Sequence, residues 1–472
     1  MATYNITPDF QAQLDDINQK LEQALAEGPL TVEAQIAGNT FWDYLKSCEQ
    51  YAHSGNLQSQ AYDHDMENLL ALYHLNMLID EGHLTQLLRT AFFLPPSTIT
   101  PEMLEENANW AGWVAGDGTI YAVSRYCQLD VRWVAVMAYY FYYKAFPHKK
   151  HAFVPPPQAA PNPNPPSKAT VAIIGDWGTG AFPDGGKGKC PAQLVIEGVL
   201  SQNPDYIIHL GDVYYAGTAE EERKNLLDLL PESYAGKVYT MNSNHEMYDG
   251  ANGLLKTSLG DPKFAQQKGS SCFQLAIGDW LFVGLDSAYY DDSTLYMKGS
   301  LRNSEGGQEQ LDYLTAAHKT GKKIFLLTHH NGIEVAKTGP APNETLWGQV
   351  VGAMDQQLPE VWYWGHVHNA IVYRDDLPFY NVGQGPAKKH RMRCCGHASI
   401  PFGKGKYLEA ASTGSSPTVI HYAHTKMPGP TDEVQKLRVL NGFAMITIAG
   451  DALTEAFYEV SNGHAPNKVW AK

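Results

Sequence analysis

Asp176 in GDWG, Asp212 and Tyr215 in GDVYY, Asn244 and His245 in SNHE, His329 and His330 in LLTHH, and His366 and His368 in GHVH are the residues whose types and order could do chemistry together. Carboxylate and amide oxygens combined with imidazole nitrogens suit zinc, iron or manganese, whereas an all-oxygen set would suit magnesium or calcium. His366 and His368 stand two apart, so on an extended segment both rings reach the same side. One ion takes about four protein ligands. Asp176, Asp212, Tyr215, Asn244, His329, His366 and His368 exceed that number and suit two ions that share one aspartate. Taken singly, an aspartate after a strand is commonly a turn or cap residue, and a tyrosine in a chain with 27 of them is ordinary packing. Order and placement carry the reading.

The placement comes from the elements that deliver these side chains. TVAIIGDWG, YIIHLGDVYY, KVYTMNSNHE, KIFLLTHHN and EVWYWGHVH are each an apolar run of strand length that ends in Asp, Asn or His. Ligands of α/β sheets gather at the carboxyl ends of strands, so five such ends would form one polar site on a rigid scaffold. Ser271 to Asp286 reads as two strands around Gly278-Asp279, and Phe443 to Val460 as a hairpin around Gly450-Asp451. An α/β architecture with one mixed sheet or two packed sheets and flanking helices follows.

The remainder of the 472 residues divides at a proline-rich run, PPPQAAPNPNPP, Pro155 to Pro166, which favours extended backbone and reads as a linker or a surface strap. The expected organisation is a mainly helical domain over 1–150, the linker over 151–168 and the site-bearing domain over 169–472. Thr7-Pro8-Asp9 starts a helix that Gly28-Pro29 stops, Thr100-Pro101-Glu102 repeats the start signal, and MENLLALYHLNMLI has helical spacing between them. His53, His64, His74 and His83 in this half lack ligand spacing and read as ordinary core or surface histidines. A net charge of −15 argues against a broad grip on nucleic acid. It does not exclude a small anionic substrate, since bound cations reverse the sign locally. The most apolar stretch, Trp133 to Tyr143, is half of the ~20 residues a membrane helix needs and reads as a buried core segment. The first residues lack a basic and an apolar leader region, and six scattered cysteines include no CxxC pair, so a reduced, cytoplasmic location is expected, or a periplasmic or secreted one had a leader been removed.

The series GDxG, GDxxY, NHE, xxxH and GHxH, from about Val171 to His368, resembles the calcineurin-like metallophosphoesterases, and GDxxY resembles their purple acid phosphatase branch. NGFAMITIAGD resembles that family's C-terminal hairpin, whereas the first ~150 residues, a length typical of a separate domain, lie outside the resemblance. The resemblance implies an αββα two-sheet sandwich with a binuclear centre. Asp176, Asp212, Tyr215 and His368 would hold a ferric ion. Asp212 would bridge, and Asn244, His329 and His366 would complete a site for divalent iron, zinc or manganese. Two carboxylates and a tyrosinate against those ions leave a charge of about +2, which suits a phosphate dianion. A hydroxide held by the ions would attack phosphorus in line with the leaving group. Asn244 and His245 would contact substrate, and His245 or His330 would supply acid, because no second histidine pair lies between His330 and Gly365. The residue before NHE, usually Gly in the family, is Ser243. The basic run KKHRMR, Lys388 to Arg393, would either recruit a further anionic group of the substrate or lie on a solvated loop. The implied activity is hydrolysis of small phosphomonoesters. A diesterase and a metal-binding scaffold without turnover are the alternatives, and the oligomeric state is open.

Overall fold

The strand runs are apolar at consecutive positions, and a strand of that kind needs cover on both faces. A computed structural model describes residues 2–5, scattered positions between 12 and 27, 113–114, 119–122, 133–158, 164–178, 189–293, 297–336, 339–383, 388–399, 406–426 and 439–472, and it shows what supplies that cover. The chain forms two compact units, one from 1–151, 248–250 and 432–435, the other from 152–247, 251–431 and 436–472.

In the first unit, β1 (Ala2–Asn5), β2 (Trp113–Val114) and β3 (Thr119–Ala122) make an antiparallel sheet in the order β1-β3-β2. The predicted buried segment is helix α1, Trp133–Ala145, with Val136, Tyr139, Tyr142 and Tyr143 buried. Most of the helical pattern expected over 1–150, with His53, His64, His74 and His83, lies outside the described residues. No helix among the described residues is long and apolar enough to cross a membrane.

The second unit is a sandwich of two mixed sheets. The first contains β4 (Lys168–Ile174), β5 (Tyr206–His209) and β6 (Val238–Thr240) in parallel, then β16 (Gly442–Ala449), β17 (Ala452–Glu459) and β18 (Asn467–Ala471), in the order β18-β17-β16-β4-β5-β6. The second contains the hairpin β7 (Phe273–Ile277) and β8 (Trp280–Gly284), then β9 (Lys323–Thr328), β12 (Val361–Trp364), β13 (Ala370–Tyr373), β14 (Arg391–Cys395) and β15 (Val419–Tyr422). Its order is β15-β13-β14-β12-β9-β8-β7, with β8, β9, β12 and β14 parallel. A short hairpin, β10 (Ile333–Ala336) and β11 (Gly339–Pro342), follows β9 outside both sheets. Both hairpins expected around Gly278 and Gly450 are present.

The period-two alternation of strands divides each apolar run between two cores. Val171 and Ile173 of β4 meet Phe325, Leu327, Val361 and Tyr363 of the other sheet between the sheets. Ala172 and Ile174 turn outward onto Val195 and Val199 of α2, Pro191–Ser201. On the opposite outer face Leu326, Trp362 and Trp364 meet Leu314 of α4 (Gln308–Lys319) and Val350 of α5 (Glu344–Ala353). Helix, sheet, sheet, helix is the layering that the resemblance implied.

The basic run does neither of the things expected of it at its last residue. Arg393 is buried in β14 and spends all five of its N–H groups inside the protein. Nε donates to Glu455 at 3.3 Å, Nη1 to the carbonyls of Tyr373 and Met392 at 3.1 and 3.0 Å, and Nη2 to Asp375 and Glu455 at 3.0 and 2.7 Å. It is a structural cation that ties β14 to β17.

Candidate metal centre

The register places the functional ends level with one another. Ile174 pairs with His209 across β4 and β5, and Thr328 pairs with Trp364 across β9 and β12. The loops carrying Asp176, Asp212 and Asn244 therefore leave one sheet at the same rim where those carrying His329 and His366 leave the other. Short bonds close the rim: Asp176 N–H donates to the Gly211 carbonyl at 3.2 Å, Trp177 N–H to the Asp212 carbonyl at 2.8 Å, and Gly365 N–H to the His329 carbonyl at 3.0 Å. Asp176, Asp212 and His366 have φ of 59°, 72° and 65°. Left-handed backbone at non-glycine residues is costly and gathers at functional sites. Two glycines let these turns approach. A Cβ on Gly211, at φ 95°, would meet Ser243 at 2.8 Å, and one on Gly396 would meet Asp176 Oδ2 at 2.2 Å.

Two clusters result. In the first, His368 Nε2 lies 3.6 Å from Asp176 Oδ1 and 3.9 Å from Asp212 Oδ2. In the second, His329 Nε2 lies 3.3 Å from Asp212 Oδ1, 3.0 Å from Asn244 Oδ1 and 3.3 Å from His366 Nδ1. Asp212 thus faces both, as a shared ligand would. Asp176, Asp212, Asn244, His329, His366 and His368 are brought together; His330 joins the second cluster. His245 sits beside them, its Nδ1 donating to the Tyr215 carbonyl and its ring stacked on Tyr214 at 3.7 Å.

The structure adds a second tyrosine, Tyr214, to the expected Tyr215. The phenol that reaches the first cluster is that of Tyr214, 3.0 Å from His368 Nε2. Tyr215 is buried beside it, with ring centroids 5.9 Å apart; its N–H donates to Glu221 at 2.6 Å and its carbonyl receives His245. Tyr214 follows Asp212 by two residues, the same spacing that singled out His366 and His368, and that signal could have found it. Sequence reasoning also missed how Ser243 acts. Its hydroxyl lies against the carboxylates of both Asp212 and Glu246 and accepts the Asp212 N–H at 3.1 Å.

The donor chemistry fits cations. Asp176 Oδ2 is buried with no hydrogen-bond partner among the described residues, a costly state for a carboxylate oxygen. His329 Nδ1 must carry the ring proton, because it meets the Leu210 carbonyl at 2.8 Å. Its Nε2 therefore presents a lone pair to Asp212 and Asn244 oxygens, an arrangement of acceptors against acceptors that a positive ion resolves. Burial holds the imidazoles in the neutral, ligand-competent form: His329 is lowered, His366 is pushed down to about 3 and His245 to about 4. Burial and the adjacent Asp212 carboxylate push Asp176 well above the usual range. Burial opposes ionisation of Asp212 too, but its neighbours His329 and His245 and hydrogen bonds with His368 and the protonated Asp176 hold its carboxyl well below that range.

Residues 169–370, which contain all of these side chains, match the family model of the calcineurin-like phosphoesterases. That stretch, 202 of the 472 residues, is similar to this family, whose members use divalent metals. No curated protein matches the chain. Similar solved structures include a purple acid phosphatase from yellow lupin (Lupinus luteus) seeds, 15% identical over 65% of this chain with a TM-score of 0.43. The chain spans 54% of that protein's length. They also include a dimetal phosphatase from Danio rerio, 13% identical over 64% of this chain and 98% of its own, TM-score 0.37. A third is GAP50, the anchor in the inner membrane complex of Plasmodium, 12% identical over 65% of this chain and 88% of its own, TM-score 0.43.

Proposed function

We propose that the protein is a binuclear metal-dependent hydrolase of small phosphate esters, similar to purple acid phosphatases, with monoesters preferred over diesters. The observation that carries this reading is the position of Asp212, whose two oxygens face the two separate donor clusters. Asp176, Asp212 and His368 would hold the first ion, with a tyrosine phenol at its side, and Asn244, His329 and His366 the second. Iron(III) with divalent iron, zinc or manganese suits this donor set. When bound, the ions supply Lewis-acid charge and an activated water.

The chain's own residues do the rest. The Tyr215 carbonyl fixes the tautomer of His245, so proton exchange with substrate passes through Nε2. The Tyr214 ring beneath it keeps the imidazole in one plane. Burial keeps this histidine neutral until a phosphoryl dianion arrives to favour its charged form. Asn244 is held next to His245 at the start of the short helix α3, Asn244–Tyr248, so a phosphoryl group entering the site would meet both.

The test is metal analysis of the purified full chain, its visible spectrum, and paired rates on an aryl phosphomonoester and the corresponding diester. Two ions per chain and faster monoester hydrolysis are expected, with a purple or pink colour where a tyrosinate binds iron(III). Metal-loaded protein that hydrolyses neither ester would overturn the enzymatic reading.

A further inference from the structure

The second cluster holds one more imidazole than a shared aspartate, an asparagine and two histidines would provide. His329, His330 and His366 each offer a ring nitrogen, and these nitrogens lie within 4.8 Å of one another. Their ring centroids are 4.8, 5.2 and 4.7 Å apart for the pairs 329–330, 329–366 and 330–366.

His330 is also oriented as ligating histidines are. Its Nδ1 lies 2.9 Å from Ser287 Oγ, which accepts the backbone N–H of His330 at 3.1 Å. The Leu210 carbonyl holds His329 Nδ1 in a comparable position, although a carbonyl only accepts whereas the Ser287 hydroxyl can accept or donate. Holding one ring nitrogen on an outer oxygen orients the ring and turns the other nitrogen toward an ion, which selects the tautomer that leaves that nitrogen a lone pair. The outer support is itself rigid. Next to Ser287, the buried Asp286 carboxylate accepts Ser271 Oγ at 2.6 Å, Asn242 Nδ2 at 3.0 Å, and the N–H groups of Ala288 and Tyr289 at 3.0 and 2.9 Å. One turn after β8 therefore anchors His330 directly, and through Asn242 it anchors the loop that carries Asn244.

We propose that His330 is a ligand of the second cation, which then sits on a face of three imidazoles completed by Asn244 and Asp212. This rests on the binuclear reading above and refines it. Three imidazoles shift the site toward zinc and away from manganese or magnesium. They also take His330 out of acid duty and leave His245 to exchange protons with substrate.

Cobalt(II) titration of the metal-stripped full chain decides the matter. Wild type should take up two equivalents. His330→Cys should add a thiolate-to-cobalt charge-transfer band in the near ultraviolet that wild type lacks, because only direct coordination produces it. His330→Ala should weaken one equivalent by more than ~10-fold, the lower bound for losing even an outer partner of a ligand, and leave the other within about twofold. The alanine variant decides should the cysteine variant fail to fold. Two cobalt ions bound without the new band, and with unchanged affinities in His330→Ala, would overturn this assignment while leaving two metals in place. Fewer than two ions in wild type would instead remove the binuclear reading on which it stands.

Discussion

Arg393 and Asp212 are both buried in the second unit, and their surroundings are opposite in kind. Around Arg393 every donor has an acceptor: Glu455, Asp375 and two carbonyls take the guanidinium, and Tyr363 donates to the second oxygen of Glu455 at 2.7 Å. Beside Asp212, the lone pair of His329 Nε2 faces the oxygens of Asp212 and Asn244, and the neighbouring Asp176 keeps an oxygen without a partner among the described residues. A buried charge that is fully paired explains itself as architecture. A buried cluster of lone pairs does not, and it points to positive charge supplied from outside the chain.

The largest effect expected from this contrast is at Asp212. Asp212→Asn removes the charge that both clusters share. It should lose bound metal and esterase activity together, by more than the ~10–100-fold that loss of an outer partner costs. Elemental analysis beside a rate assay checks this, and a variant that keeps two ions and full activity would break the shared-ligand assignment. Arg393→Met should act in the other sense. It removes the guanidinium from the buried Glu455 carboxylate and should cost about 3–5 kcal/mol of stability in chemical denaturation, with the metal content of the folded fraction unchanged. Loss of metal without loss of stability would mean that the two regions were assigned the wrong way round. The smallest effect separates the two tyrosines. In an iron-loaded protein, Tyr214→Phe should abolish the visible charge-transfer band and Tyr215→Phe should keep it, as judged by absorbance at equal iron content. The reverse result would restore the residue that the sequence motif pointed to.

The strands and their polar ends were legible because that information is local. Each apolar run is continuous in sequence and ends in its own candidate donor, so Asp176, Asp212, Asn244, His329, His366 and His368 could be singled out before any fold was known, and the structure brings these side chains together. What local pattern does not hold is partnership across the chain. Which of the buried Tyr214 and Tyr215 brings its phenol to His368 depends on how the loop after β5 is pinned by Glu221 and Asn225. The fate of Arg393 depended on Glu455, 62 residues away on the other sheet. The placement of His330 among donors depended on Ser287, which arrives from a different strand. Ser243 looked like a minor change of loop freedom, and only its contact with two carboxylates shows that its hydroxyl is used.

The two sheets deliver the donors separately: β4, β5 and β6 lead to Asp176, Asp212 and Asn244, and β9 and β12 lead to His329 and His366. Ions seated there would act as rivets through both leaves of the sandwich. Chelation should loosen that rim first, and amide hydrogens around Gly211 and Gly365 should exchange with solvent sooner than those of the interleaf core at Val171 and Phe325.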